Sequence, residues 1–288
     1  MSTLKLKNLR NSCYINVIIQ VIYRNVELRY FICKKMYLDN DMIQPVCNSL
    51  YLLFSRPGIV TDAENLRSVL ESYYNLVQFN NGSMNDSQEF LSALLDCVGK
   101  EISPRNESRD YILGLFKFIL TKRQNYINDT LTCPFCSEDL VPPSEDDQLH
   151  QVWHVPVPAG RLQNWTLEEL IVKEKTGGEV NERPCPVCKR EDVFRYKETV
   201  EFKTLPKYLV INLKKYYYNG YDTVKNNSTV KFPELLNLKN TEYEIESVVD
   251  HIGTTIQSGH WIMHNKTENG FTTCNDSHIS FNRRIEEI

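Results

Sequence analysis

The sequence predicts an α+β fold, because its helical and strand-forming segments are separated along the chain. Three helices are predicted in the first third, over residues 14–23, 62–74 and 86–98, with Asp62 as the N-cap of the second. Three runs in the last third predict strands, over residues 208–213, 246–251 and 259–264. Helices followed by strands are typical of α+β proteins rather than of alternating, doubly wound ones.

Length, charge and hydropathy restrict the class of protein. With 288 residues, of which 41% are hydrophobic, the chain can bury a sizeable core. Its 37 acidic residues outnumber 33 basic ones, a balance that argues against a general nucleic-acid binder. No apolar run approaches the ~20 residues that span a bilayer, and the polar N-terminus lacks a signal-peptide core. We therefore expect an intracellular protein, cytoplasmic or nuclear and not secreted, with neither nucleic acid nor membrane as a partner.

Two Cys-x-x-Cys pairs predict a structural zinc site. Each pair, Cys133 with Cys136 and Cys185 with Cys188, contains a proline and fits a tight turn that aims two thiolates at one ion. Four thiolates complete the closed tetrahedral shell of a structural zinc, which leaves no open position for chemistry. Two unrelated cysteine pairs and a redox Cys-x-x-Cys are the alternatives, and the odd count of nine cysteines argues against a disulfide framework.

Among the remaining cysteines, Cys13 is the candidate nucleophile. It lies where a polar loop meets the first predicted helix. A thiolate at a helix N-terminus is stabilised by free backbone N–H groups and by the helix dipole, and Arg10 in the same loop can add positive charge. The free N–H groups, with an asparagine side chain from the loop, can hold a developing oxyanion.

His260 is the candidate base, because a hairpin would place a polar partner opposite it. If the segment that follows closes between residues 267 and 268, His260 and Asn275 fall directly opposite each other and share a face of the sheet. Asn275 would then accept the Nδ1–H of the imidazole and leave Nε2 to face Cys13. Asp276 would point to the opposite face unless a bulge intervenes.

His264 and His251 are the alternative bases. In the same hairpin His264 would lie opposite Phe271, which cannot orient an imidazole. His251 follows Asp250, but neighbours along a strand point to opposite faces. A third possibility is that His260 is a structural strand histidine with no chemical role.

Taken in order, these motifs resemble those of the ubiquitin-specific protease family, a branch of the papain-like cysteine proteases. Residues 6–20 read LKNLRNSCYINVIIQ and are similar to the family's cysteine box, and residues 85–91 read NDSQEFL, similar to its second box. Residues 205–215 read LPKYLVINLKK and resemble a family strand. The family's histidine box and closing box are similar to SGHW at residues 258–261 and TCNDS at residues 273–277.

The resemblance implies a papain-like fold with a helical thumb, zinc-ribbon fingers and a β-rich palm. It implies one catalytic domain over residues 1–288, with the thumb at about 1–125, fingers mixed with palm strands at 126–200 and the palm at 201–288. It also implies a cysteine-type ubiquitinyl hydrolase that acts on ubiquitin and ubiquitinated proteins. One structural zinc would be held in the fingers by the four paired cysteines.

The resemblance also assigns the catalytic residues. Cys13 matches the family's nucleophile, Asn8 its oxyanion-hole side chain and His260 its base. Asn275 matches the third member of the triad, and Asp276 follows it in the closing box.

The chain departs from the family pattern at four positions. Arg10 replaces a glycine three residues before the nucleophile, which slows turnover if the loop needs a positive φ. Trp261 stands where tyrosine is common, His264 where another aromatic residue is common, and Asn212 replaces a strand histidine. Since none of these changes removes a catalytic group, activity is expected.

Three other functions remain open on the sequence. The first is an inactive or weakly active homologue that binds ubiquitin without cutting it. The second is a protease for another ubiquitin-like modifier, such as SUMO. The third is a zinc-ribbon interaction module without chemistry.

Overall fold

The computed structural model describes residues 3–127, 132–137, 146–159, 163–177, 180–185, 187–191, 194–255 and 258–283. The chain forms two compact units, each assembled from segments that are distant in sequence. The first unit comprises Met1–Leu113, Tyr216–Lys225 and Glu244–Ile288, and the second comprises Gly114–Lys215 and Asn226–Tyr243. The boundaries of thumb, fingers and palm stay a sequence prediction. No helix among the described residues is long and apolar enough to cross a membrane.

Helices and strands occur together, as the α+β prediction requires. The helices are α1 (Cys13–Arg24), α2 (Val26–Cys33), α3 (Pro45–Phe54), α4 (Glu64–Tyr74), α5 (Ser87–Glu101), α6 (Arg109–Gly114) and α7 (Leu167–Lys175), with a 3₁₀ turn at Val77–Phe79. The strands are β1 (Lys5–Leu6), β2 (Val60–Thr61), β3 (Phe118–Tyr126), β4 (Asp146–His150), β5 (Trp153–Pro156), β6 (Asn164–Thr166), β7 (Asn181–Arg183), β8 (Phe194–Thr204), β9 (Ile211–Lys214), β10 (Tyr216–Tyr218), β11 (Thr223–Lys225), β12 (Thr229–Lys231), β13 (Leu235–Leu238), β14 (Thr241–Glu244), β15 (Ser247–Ile252), β16 (His260–Thr267), β17 (Gly270–Asn275) and β18 (His278–Arg283).

The three helices predicted in the first third are confirmed as α1, α4 and α5. Asp86 caps α5, because its carboxylate accepts the Gln88 N–H at 2.6 Å. The predicted N-cap of α4 is wrong by one residue. Ala63 occupies that position, and the Asp62 carboxylate accepts the Glu64 N–H at 3.2 Å from outside the helix.

In the first unit, α1 is the central element. It is buried along nearly its whole length and packs against α5 on one side and β16 on the other. A helix that is apolar on most of its surface belongs in a core. The Tyr14 ring, one residue after the start of α1, lies 5.7 Å from Phe90 and 6.2 Å from Phe79 between ring centroids. This aromatic cluster fixes the N-terminal turn of α1, where Cys13 lies.

The second element that positions the site is an antiparallel sheet with the strand order β15-β16-β17-β18. It confirms the strands predicted at residues 246–251 and 259–264. Two-residue turns connect β16 to β17 and β17 to β18. Since β16 packs on α1 within the same unit, the sheet presents its own polar side chains next to the start of that helix.

The second unit is built on an antiparallel sheet with the strand order β4-β3-β8-β7. Its core contains Trp153, whose ring lies 4.7 Å from the ring of Phe202, together with apolar residues of α7. The strand predicted at residues 208–213 is shorter than expected. The parallel ladder with β5 begins at the pair Trp153 and Ile211, so only β9 has strand geometry.

Candidate active site and metal centre

Cys13 is the first residue of α1 and only 1% exposed. The backbone N–H of Trp261, the second residue of β16, hydrogen-bonds to its sulfur. The N–H groups of Tyr14 and of Cys13 itself also hydrogen-bond to it. The nucleophile predicted from the sequence therefore lies against the strand that carries the predicted base, His260.

The predicted thiolate stabilisation at the helix N-terminus is outweighed by burial. Burial raises the pKa of the Cys13 thiol above its ordinary value, and the nearby negative charge of Asp276 raises it as well. The N–H groups of Trp261 and Tyr14 lower the pKa, as the sequence argument expects, but by less. The neutral thiol is thus the resting form at neutral pH.

We expect small haloacetamides to alkylate Cys13 slowly at pH 7 and faster as the pH rises. Because the folded-state pKa is raised, the thiolate fraction grows only above the ordinary thiol pKa of ~8.5. The rate would be followed by mass mapping of the peptide that contains Cys13, with the half-buried Cys33 as an internal reference. A reaction rate that has already reached its plateau at pH 7 would contradict the raised pKa.

His260 and Asn275 meet, although the predicted register is wrong. The β16–β17 hairpin closes between Glu268 and Asn269, one residue later than predicted, so every cross-strand partner moves by two. Cys274 lies opposite Met263, and Asn275 reaches His260 diagonally. A shift of two residues keeps side chains on the same face. The two side chains consequently form a hydrogen bond of 2.8 Å.

The ring nitrogen in that hydrogen bond differs from the prediction. His260 Nε2, rather than Nδ1, lies 2.8 Å from Asn275 Oδ1. Since a carbonyl oxygen only accepts, Nε2 carries the proton and Nδ1 keeps the lone pair. Nδ1 is therefore the ring nitrogen that is left to act as a base.

Asp276 also faces His260, with 3.6 Å between Asp276 Oδ2 and His260 Nε2. The prediction that it points to the opposite face fails because Asp276 is not part of the strand. It begins the two-residue turn between β17 and β18 and has a φ of 53°. Aspartate tolerates this left-handed conformation better than most residues do. As a result of this turn, the Asp276 carboxylate points towards the imidazole of His260.

Asn16 holds Asp276 in place, a role that the sequence analysis did not assign. Its Nδ2 donates to Asp276 Oδ1 at 2.8 Å and to the Lys7 carbonyl at 3.1 Å. Asn16 lies one turn after Cys13 in α1 and is 2% exposed. A buried polar residue at position i+3 from the nucleophile, on a largely apolar helix, is the signal that identifies it.

The two alternative histidines have structural environments. His264 is buried opposite Thr273, not Phe271 as predicted, and its Nδ1 lies 2.8 Å from the Thr273 hydroxyl oxygen. Burial lowers the pKa of His251, and the charge of Lys225 lowers it further.

The described part of the segment between β15 and β16, which ends at His260, is closely packed against its neighbours. Lys225 Nζ donates to the carbonyls of His251 and Gly253, at 2.7 Å each. A Cβ atom added to Gly259 would lie 2.5 Å from His251 Nε2. Glycine before His260 is therefore required by this close approach.

Asn8, the predicted oxyanion donor, is exposed in the loop between β1 and α1. Within the described residues its amide forms no hydrogen bond with the rest of the chain. The loop is closed by the Ser12 hydroxyl, which accepts the Leu9 N–H at 3.0 Å. The exposed amide of Asn8 is thus available to a ligand.

The four paired cysteines form a candidate metal centre in the second unit. Their sulfur atoms all lie within 4.8 Å of one another. Cys133 and Cys188 are 3.7 Å apart between sulfur atoms, as are Cys136 and Cys185. Burial raises the pKa of Cys185, but hydrogen bonds, first from the backbone of Cys188, lower it to about 6. Cys185 can therefore offer a thiolate at neutral pH.

Comparison with known proteins identifies the family. The family model described as "Ubiquitin carboxyl-terminal hydrolase" matches residues 4–286. This chain belongs to that family. Ubiquitin carboxyl-terminal hydrolase 26 of Oryza sativa subsp. japonica is 25% identical over 96% of this chain and 25% of its own length. The probable ubiquitin carboxyl-terminal hydrolase 16 of Schizosaccharomyces pombe is 22% identical over 98% of this chain and 64% of its own length.

Among solved structures, this member of the family resembles a chain of the SAGA DUB module, which contains Ubp8, Sgf11, Sus1 and Sgf73 and is bound to monoubiquitin. The TM-score is 0.71 at 17% identity, with 99% of this chain and 66% of the other covered. The likeness confirms the predicted fold. The chain spans about a quarter of the length of the first curated relatives that it matches.

Asn212, which departs from the family pattern, lies outside the candidate active site. It belongs to β9 in the second unit, and its amide nitrogen lies 3.4 Å from His154 Nδ1. Trp261 contributes to the site through its backbone N–H, which does not depend on its side chain. Neither departure changes a side chain of the candidate triad.

Proposed function

We propose that this chain is a thiol-dependent deubiquitinase, which hydrolyses the isopeptide or peptide bond after the C-terminal glycine of ubiquitin. One observation carries the proposal: three distant segments bring the Cys13 sulfur, the His260 imidazole and the Asn275–Asp276 pair to one end of β16. Membership of the ubiquitin carboxyl-terminal hydrolase family supports ubiquitin as the substrate. The ubiquitin-bound structure with the same fold supports it further.

In the acylation step, the Cys13 sulfur attacks the carbonyl carbon of the last glycine of ubiquitin. His260 Nδ1 takes the thiol proton as the C–S bond forms, so the raised pKa of the thiol is overcome only when the base acts. The Asn8 amide and the backbone N–H of Cys13 stabilise the oxyanion. His260 then returns the proton to the departing lysine nitrogen, and the C–N bond breaks.

In the deacylation step, His260 Nδ1 takes a proton from water, which attacks the thioester. The tetrahedral intermediate collapses to the ubiquitin carboxylate, and the Cys13 thiol is regenerated. Throughout, Asn275 holds the Nε2–H of His260. The Asp276 carboxylate, 3.6 Å from the same nitrogen, faces the imidazolium that forms in each step.

The proposal is tested with ubiquitin that carries a fluorophore on its C-terminal carboxyl group through an amide. Release of the fluorophore by the wild-type chain, and not by Cys13→Ala, is the expected result. Binding of ubiquitin without release would favour the inactive homologue. Faster release from the corresponding SUMO substrate would favour a protease for that modifier.

We propose that the cysteine cluster holds one structural zinc. Tetrahedral coordination with Zn–S bonds of ~2.3 Å separates the sulfur atoms by about 3.8 Å, close to the two observed distances of 3.7 Å. The four sulfur atoms fill every position of such a shell. Bound zinc would tie the Cys133–Cys136 turn to the Cys185–Cys188 turn and take no part in hydrolysis.

We expect the purified protein to contain about one zinc per chain and Cys185→Ser to lose it, because three thiolates leave the tetrahedral shell open. Elemental analysis gives the zinc content, and thermal unfolding gives the associated fall in Tm. Cys33→Ser, in the first unit, is the matched control and should keep both values. Stoichiometric zinc in Cys185→Ser, or none in the wild type, would contradict the assignment.

We also propose an intracellular location, in the cytoplasm, the nucleus or both. All nine cysteines are free thiols, which is typical of a reducing compartment. Fractionation of cells that express the chain would test this, and recovery from the secreted fraction would contradict it.

A further inference from the structure

The loop before the nucleophile has an unusual backbone conformation for its sequence. Arg10 and Asn11, which are consecutive, have φ values of 50° and 58°. This left-handed region is sterically unfavourable for residues with a Cβ, and for arginine in particular. Glycine would adopt it without cost. Something other than the residue at position 10 must therefore hold the loop in this conformation.

Arg67 of α4 supplies the main restraint. Its Nη1 donates to the carbonyl of Leu9 at 2.9 Å and lies 3.4 Å from the carbonyl of Arg10. Its Nε donates to the carbonyl of Phe79 at 3.0 Å. Arg67 is 0% exposed, so these charge-assisted bonds are shielded from water. A buried guanidinium is costly, and its position on the loop carbonyls indicates a specific role.

Glu64 completes the arrangement. One carboxylate oxygen accepts from Arg67 Nη1 at 3.0 Å, and the other pairs with the Arg10 guanidinium. The carboxylate thus neutralises the buried charge and links α4 to the side chain that replaces glycine. On the opposite side of the loop, Asn11 Nδ2 donates to the carbonyl of Gly82 at 2.9 Å.

The remaining hydrogen-bonding capacity of Arg67 strengthens this interpretation. Its Nη2 is fully buried and has no hydrogen-bond partner among the described residues. A buried arginine usually forms hydrogen bonds through both of its terminal nitrogens. Here the guanidinium is oriented to hold the loop, at the expense of one donor.

The geometry points to Arg67 and Glu64 as positioning residues, which fix the loop between Asn8 and Cys13 for turnover and replace the missing glycine at position 10. Neither residue touches the substrate. This inference rests on the proposed function, because the loop carries the oxyanion donor Asn8 and leads into the nucleophile. A loop that relaxes would move the donor relative to the sulfur without removing either group.

The test compares Arg67→Lys, which keeps the charge but loses the planar fork of donors, with the same change in an Arg10→Gly background. We expect Arg67→Lys to lower kcat by up to ~10²-fold, the scale for a 1 Å misplacement of a catalytic group, with KM changed much less. Arg10→Gly should recover most of that loss, because glycine adopts the left-handed conformation unaided. Glu64→Gln should give a smaller loss of ~3-fold, since the amide oxygen can still accept from Arg67 Nη1 and the lost pair with Arg10 is partly exposed.

Hydrogen exchange of the amides of residues 8–13 provides a readout that does not depend on hydrolysis. Arg67→Lys should speed exchange there, and Arg10→Gly should reverse the effect. Arg105→Lys, at a site 72% exposed, is the matched control. Wild-type kcat and exchange in Arg67→Lys, or a loss that Arg10→Gly does not rescue, would overturn the inference. An inactive wild type with the expected exchange pattern would instead refute the proposed function and leave the restraint of the loop intact.

Discussion

Replacing His260 with alanine is expected to lower kcat/KM for a ubiquitin C-terminal amide substrate by ~10⁴-fold or more, the scale on which loss of a catalytic histidine is measured. The reason is the raised pKa of Cys13, which is buried beside Asp276. Without Nδ1 of His260 to accept the proton, the thiol remains neutral at pH 7 and is a poor nucleophile. The rings of His251 and His264 lie in structural environments, with a lowered pKa for His251 and a contact of 2.8 Å from His264 Nδ1 to the Thr273 hydroxyl.

His278→Ala is the matched control for this prediction, because His278 is an exposed histidine of the same sheet. It should keep its activity within ~2-fold, because its pairing with Asn275 across the β17–β18 hairpin is made by the backbone, which the substitution leaves in place. Ubiquitin affinity is measured in parallel for both variants. A His260→Ala variant that retains more than a tenth of wild-type activity would show that a group other than His260 accepts the thiol proton of Cys13.

Replacing Asn8 with alanine is expected to reduce kcat by ~10²–10³-fold, which is the effect of losing one oxyanion donor. The amide of Asn8 is exposed and has no partner among the described residues, so its removal costs the fold little. KM should change much less than kcat, because the interaction develops only in the transition state. Steady-state kinetics with the same fluorogenic substrate separate the two constants.

Asn40→Ala, an exposed asparagine in a turn of the first unit, serves as the control. Thermal unfolding should give the same Tm for Asn8→Ala as for the wild type. If Asn8→Ala turns over at the wild-type rate, the oxyanion must be held by backbone N–H groups alone. If it loses ubiquitin binding and kcat together, Asn8 contributes to recognition rather than to the transition state.

The contact between the candidate base His260 and Asn275 could be predicted from the sequence because side-chain alternation tolerates an even error in register. The predicted hairpin was displaced by one residue at its turn, which moves each partner by two. His260 and Asn275 remained on one face, and the diagonal contact closed at 2.8 Å. An odd displacement would have separated them. The sequence of a short polar turn does not determine which two residues lie at its centre, so it cannot distinguish an even displacement of the register from an odd one.

Asp276 shows what alternation cannot predict. Its orientation depends on a two-residue turn with a left-handed φ, so the strand rule does not apply to it. The contact with Asn16 is also beyond sequence reasoning, because it joins residues 260 positions apart. Only the packing of the last hairpin against α1 brings the two together.

The protonation state of Cys13 was the other point at which local reasoning was insufficient. Helix N-terminal N–H groups do lower its pKa, but burial against β16 raises it by more. Burial is a tertiary property that the cysteine box does not encode. The same holds for Arg67, whose position in the amphipathic α4 gives no indication that its guanidinium reaches the carbonyl of Leu9.

Labelling with ubiquitin that bears a C-terminal electrophile tests the central claim most directly. The probe delivers a reactive carbon to the position of the scissile carbonyl, and mass mapping identifies the sulfur that it bonds to. The arrangement of Cys13, His260 and the Asn275–Asp276 pair predicts one adduct per chain, on Cys13, and its absence in Cys13→Ala. An adduct on a different cysteine, or none on a folded wild-type protein that binds ubiquitin, would contradict the hydrolase mechanism.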